Sequence, residues 1–152
     1  MNPSWYGRRY PTEEDLALAI EATGAAILHA EIGDGALFVA GESPIPPVVI
    51  LPMRGGLLRI SWLLAHELGH LTLHGGYTSR WTHDRQENQA NAWAARALIP
   101  ASSIKRHRNA SLDAFIGALS SHYEHLPLVD CPQRRLAAEI ATIRLKAVEE
   151  VA

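Results

Sequence analysis

The sequence predicts an α+β fold, and three observations carry that reading. A capped helical pattern opens the chain, three short apolar runs separated by turn residues follow, and beyond Gly56 the apolar positions recur at threes and fours. The 152 residues suit one domain, 1–152, long enough to bury roughly 70% of the surface its unfolded chain exposes.

The elements follow in order. "PTEEDLALAIEATG" reads as the first helix, with Thr12 as N-cap and Glu13, Glu14 and Asp15 suited to the positive end of the helix dipole. Leu16, Ala19 and Ile20 supply its apolar stripe, and Gly24 ends it. "AAILHAEI", "ALFVAG" and "VVILP" read as strands. Gly33-Asp34-Gly35 is strong turn chemistry, so the first two runs are expected to form a hairpin within a small antiparallel sheet. After Gly55-Gly56, Ile60, Leu63, Leu64, Leu68 and Leu71 mark a helix that Gly75-Gly76 closes. The polar stretch "YTSRWTHD" leads into a second helix, "RQENQANAWAARALIP", stopped by Pro100. Two more helices are expected at about 111–123 and 132–151. In the last, Leu136, Ile140, Ile143, Ala147 and Val151 form one stripe, read as packing on the domain rather than as a dimer seam.

Composition narrows the function classes. A hydrophobic share of 47% and a charged share of 20% suggest neither disorder nor a membrane protein. A net charge of -2 gives no global basic field for nucleic acid, and the pairs Arg8-Arg9 and Arg134-Arg135 read as solvated surface. Cys131 is the only cysteine, so a metal site must be built from histidine and carboxylates. The first residues lack the apolar core of a signal peptide, and no run approaches ~18 apolar residues. A cytoplasmic protein is expected, a monomer or weak dimer, with no membrane partner and no direct nucleic-acid partner.

The chemistry concentrates in "AHELGHLTLH", Ala65 to His74. His66 and His70 are four apart on a helix, so their rings stack on one face and can converge on one ion. Glu67 sits beside the first of them, poorly placed to bind the same ion but able to reach a water there. His74 lies about 12 Å from His66 along the axis, so one ion cannot be shared by all three histidines. It can cap the helix end or, if the helix breaks early, turn toward the cleft and help bind substrate. A catalytic zinc keeps three protein ligands and a water. The longer motif that adds a third histidine is excluded, because Gly76 holds that position. A carboxylate from the next helix is the other solution: Glu87, seventeen residues past His70, with Asp84 as competitor. Ala90, Asn91, Ala94 and Leu98 give that helix a small-residue face suited to close approach.

"HELGHLTLH" followed by "ENQANAWAARALIP" resembles the ImmA/IrrE family of metallopeptidases, over about residues 57–100. Glu87, Ala90, Asn91, Ala94, Leu98 and Pro100 fall on that family's second motif; Trp93 stands where Phe is usual and Ala97 where Leu is often found. Gln89 occupies a site that is commonly a second Glu, which leaves Glu87 as the candidate ligand there. The resemblance implies a zincin-like peptidase domain holding zinc, or manganese, through His66, His70 and Glu87. Glu67 would act as general base, and Asn91 would orient a ligand. His74, Tyr77 and His83 are candidate donors to the oxyanion. The resemblance also implies an endopeptidase whose substrate is a helix-turn-helix repressor of a mobile element, prophage or stress genes. The competing expectation is a non-proteolytic regulator that sequesters a transcription factor, against which an intact Glu67 argues.

Overall fold

Thr12 starts the first helix as a capping box. Its hydroxyl accepts the Asp15 amide, and the Asp15 carboxylate accepts the Thr12 amide. The computed structural model describes residues 1–33, 35–42, 44–75, 83–106 and 111–151, with side chains for all of these except 83, 105, 106 and 148–151. The elements are α1 (Glu13–Ala22), β1 (Ala26–Ala30), β2 (Leu37–Val39), β3 (Val48–Pro52), α2 (Leu57–His74), α3 (His83–Leu98), α4 (Ala101–Arg106), α5 (Leu112–His122) and α6 (Pro132–Val151). The fold is α+β, with six helices and one three-stranded sheet among the described residues.

The sheet corrects one expectation. Its order is β1-β3-β2, with β1 parallel to β3 and β2 antiparallel to it. The sheet is therefore mixed rather than antiparallel, and β1 and β2 form no hairpin. "VVILP" explains why. It is apolar on both faces, so it takes the central position, where both edges find ladder partners. The strands on either side of Gly33 and Gly35 do not pair with each other.

The core forms where α2 passes between the sheet and the later helices. Leu58, Leu64, Ala65 and Leu68 of α2 are buried with Leu16 and Ile20 of α1 and with Val49 and Leu51 of β3. From the other side come Ala94 and Leu98 of α3, Leu119 of α5 and Ile140 of α6. The α6 stripe packs as expected: Leu136, Ile140 and Ala147 are buried and Ile143 lies against the core, whereas the Val151 side chain is outside the described ones. Helix α4 was not expected. Pro100 does stop α3, and one residue later the chain re-enters a helix. Among the described residues no helix is long and apolar enough to cross a membrane.

Candidate metal centre

Helix α2 ends at His74, capped by Gly75, whose left-handed backbone (φ 62°) turns the chain out of the helix. The helix is therefore continuous through His66, His70 and His74. One turn before its end it passes very close to α3. A Cβ added at Gly69 would lie 3.1 Å from the Ala90 carbonyl oxygen and 3.3 Å from the Ala90 Cα. The other wall of this contact is Trp93, whose ring would lie 3.3 Å from the same Cβ. Trp93 is held from behind by Tyr6, stacked on it at 4.7 Å, and by Asn2, which accepts its indole N–H at 2.9 Å. A phenylalanine at that position could not make the second bond.

The contact puts Glu87 and Asn91, one helical turn apart on α3, beside the two histidines of α2. The Glu87 carboxylate spreads one oxygen to each ring: Oε1 lies 2.7 Å from His70 Nε2, and Oε2 lies 3.1 Å from His66 Nε2. The two Nε2 atoms are 3.2 Å apart. Asn91 Oδ1 accepts from His66 Nδ1 at 2.7 Å, which fixes the tautomer and turns the Nε2 lone pair toward His70 and Glu87.

His66, His70 and Glu87 thus offer three ligand atoms all within 4.8 Å of one another, a group that can hold a metal ion. Two imidazoles and one carboxylate fit a divalent cation in both charge and donor type. Burial, reinforced by the neighbouring His66, holds the His70 pKa below its ordinary value against the opposing pull of Glu87. That favours the neutral imidazole, the ligating form.

Glu67 is not one of the three converging donors. Its side chain is buried, and burial, with the Glu87 charge as second cause, pushes its carboxyl up to about 7. His74 also lies outside the group, its Nε2 2.9 Å from Gln89 Oε1 on α3. Asp84, the competitor for third ligand, is exposed and does not join the cluster. Tyr77 and the His83 side chain lie outside the described residues. Asn91 stands where its spacing from Glu87 suggested. Sequence reasoning missed the Gln89 contact to His74 and the bracing of Trp93 by Asn2 and Tyr6. No local pattern announces either one. The close approach of the two helices was expected from the small-residue face of α3, but not that Gly69 is where α2 makes room for it, for which a glycine inside an apolar helix was an available signal.

Compared with known proteins, residues 21–116 match the family described as the IrrE N-terminal-like domain, Peptidase M78. No curated protein and no solved structure gives a match. The matched span holds all three strands, α2, α3 and α4, and so all three converging donors.

Proposed function

The chain belongs to the Peptidase M78 family of IrrE N-terminal-like domains, and from that premise we propose a zinc-dependent endopeptidase that acts on a helix-turn-helix repressor. The observation that carries the reading is the convergence of His66, His70 and Glu87 with a buried glutamate beside them. His66, His70 and Glu87 would hold the ion. Zinc suits this donor set best, and manganese is accepted by the same ligands where it is the more available metal. A divalent cation there supplies Lewis acidity, which acidifies a water and polarises the scissile carbonyl.

The chain's own residues do the rest. Glu67 takes the proton of the attacking water and later delivers it to the leaving amine, so one carboxylate serves as base and then as acid. Asn91 holds His66 Nδ1 and with it the ring's orientation. Glu87 sets the spacing of the two rings by bridging them. His74, tied to Gln89, borders the cluster on the side of the α2 C-terminus, and its absence from the donor group supports a role toward substrate rather than metal.

The motif resemblance supports a repressor as substrate, and a DNA-bound substrate of that kind would have the reaction run in the cytoplasm. The test is intact-mass spectrometry of a helix-turn-helix repressor encoded beside this gene, incubated with the metal-loaded protein and with Glu67→Gln. Two fragments with wild type alone are expected. An intact repressor held in a stable complex by both proteins would replace the peptidase with a binding regulator.

A further inference from the structure

A cavity of about 320 Å³ opens between α3 and α6, lined by Asn88, Asn91 and Ala92 of the first helix and Ile143, Lys146 and Ala147 of the second. Asn91 belongs both to this cavity and to the metal centre, since its oxygen accepts from His66 Nδ1. Asn88 follows Glu87 directly in the chain. A peptide held at the three donors would therefore have the cavity within reach of its side chains. The volume is at the lower end of ligand pockets, roughly 300–1,000 Å³. Ala92, Ile143 and Ala147 give it apolar walls suited to the methylenes of a side chain.

Its polar groups favour an anion. Asn91 spends its oxygen on His66, so what it can offer the cavity is N–H donors. Lys146, exposed, is the one charged residue of the lining. Two more cations belong to the same pair of helices. Arg144 of α6 is buried and donates its Nε–H to the Ile99 carbonyl at 2.8 Å. Burial, and then the neighbouring Arg96 of α3, hold its pKa below the usual arginine value. Among the described residues, none of Arg96, Arg144 and Lys146 makes an ion pair. Glu87, the carboxylate beside the cavity, faces the two histidines and would be neutralised by an ion held there. The chain as a whole carries a net charge of -2, so this positive stretch is a local feature, and a cleft lined by one sign of charge draws the other.

We propose that the α3–α6 cavity receives an acidic side chain of the peptide substrate, close to the bond that is cut, and that Lys146 selects it. This role rests on the reading of the chain as a peptidase and adds to it a preference among substrates.

The test is fluorescence anisotropy with two labelled, end-blocked peptides, one alternating alanine with glutamate and the other alanine with glutamine. They are titrated with the metal-loaded Glu67→Gln protein, which is expected to bind without cleaving. The titrations are repeated with Lys146→Glu added and, as a control for net charge, with Arg54→Glu added. Arg54 is exposed and lies outside the lining of the cavity. The glutamate peptide is expected to bind roughly fivefold more tightly than the glutamine peptide, the scale of one partly exposed ion pair. Lys146→Glu should reverse that order and Arg54→Glu should preserve it. Equal affinities for the two peptides overturn the proposal. So does a glutamate preference that survives Lys146→Glu, or one that Arg54→Glu removes as fully. Binding is read without turnover, so a repressor left intact by wild type counts against the peptidase reading alone. Equal peptide affinities beside a cleaved repressor count against the cavity alone.

Discussion

His66 and His70 bring their Nε2 atoms to 3.2 Å of each other. With the His66 Nδ1 proton committed to Asn91, the neutral ring presents its Nε2 lone pair to His70 and Glu87. The His70 Nε2 faces both that lone pair and a Glu87 oxygen. His66, His70 and Glu87 would hold a divalent cation, which would give all three donors a partner at once. Wild type should therefore carry close to one divalent ion per chain, and His66→Ala, His70→Ala and Glu87→Ala should each lose most of it in elemental analysis. Chelation should lower the melting temperature. A metal present at about 1,000 times its Kd stabilises by about 4 kcal/mol, or roughly 8–16 °C for a chain of this length. Full metal content in Glu87→Ala would remove it as third ligand.

Asn91 touches His66 and lies outside the three converging donors, so its effect on a bound metal would pass through that ring. Asn91→Ala should weaken metal binding by roughly 10–100-fold, the usual effect of losing a partner that orients a ligand. Competition with a chromogenic chelator reads this directly. Unaltered affinity would mean that the His66 ring is oriented by something other than Asn91.

Gly69→Ala sets two effects against each other. Helix propensity alone favours alanine by about 1 kcal/mol. The new Cβ, however, would lie 3.1 Å from the Ala90 carbonyl oxygen, and overpacking of this kind costs about 1–3 kcal/mol. The steric term should win, giving a lower melting temperature. Pushing α3 away also carries Glu87 off the histidines, so metal affinity should fall as well. A variant more stable than wild type, with metal affinity intact, would show that the helices have room to spare.

The Asp15 carboxylate accepts from Arg9 and from the Thr12 amide, and the Arg9 bond is the larger cause holding its pKa below the usual carboxylate range. A depressed folded-state pKa contributes stability that is full above the unfolded value, near 3.9, and is lost as pH falls through the folded one. Asp15→Asn should therefore lower stability at neutral pH by about 1 kcal/mol, the scale of a lost helix cap, and should narrow its gap to wild type in strong acid. Urea titrations at neutral pH and near pH 2 check both halves; a constant gap would contradict the linkage.

The candidate site was more legible than the sheet. His66 and His70 announce themselves by a helical spacing of four, and on the small-residue face of the next helix the motif resemblance singled out Glu87 over Asp84. Thr12 and Gly75 marked helix ends through chemistry that acts within a few residues. Strand pairing is not local in this way. Gly33-Asp34-Gly35 predicted a hairpin, and the competing signal, an all-apolar "VVILP" that belongs at the centre of a sheet, lay further along the chain. Helix α4 was hidden because Pro100 reads as a stop, although proline also suits the start of a helix. Asn2 and Tyr6 support α3 through Trp93 from ninety residues away, and no spacing rule connects them.

The central claim is that Glu67 does chemistry at a metal site held by other residues. Its most direct test measures metal content and the rate of repressor cleavage on the same preparations of wild type and Glu67→Gln. Equal metal content, with cleavage slowed by roughly 10²–10⁴-fold, the range lost with a general base, is the result expected. Equal cleavage rates at equal metal content would contradict it.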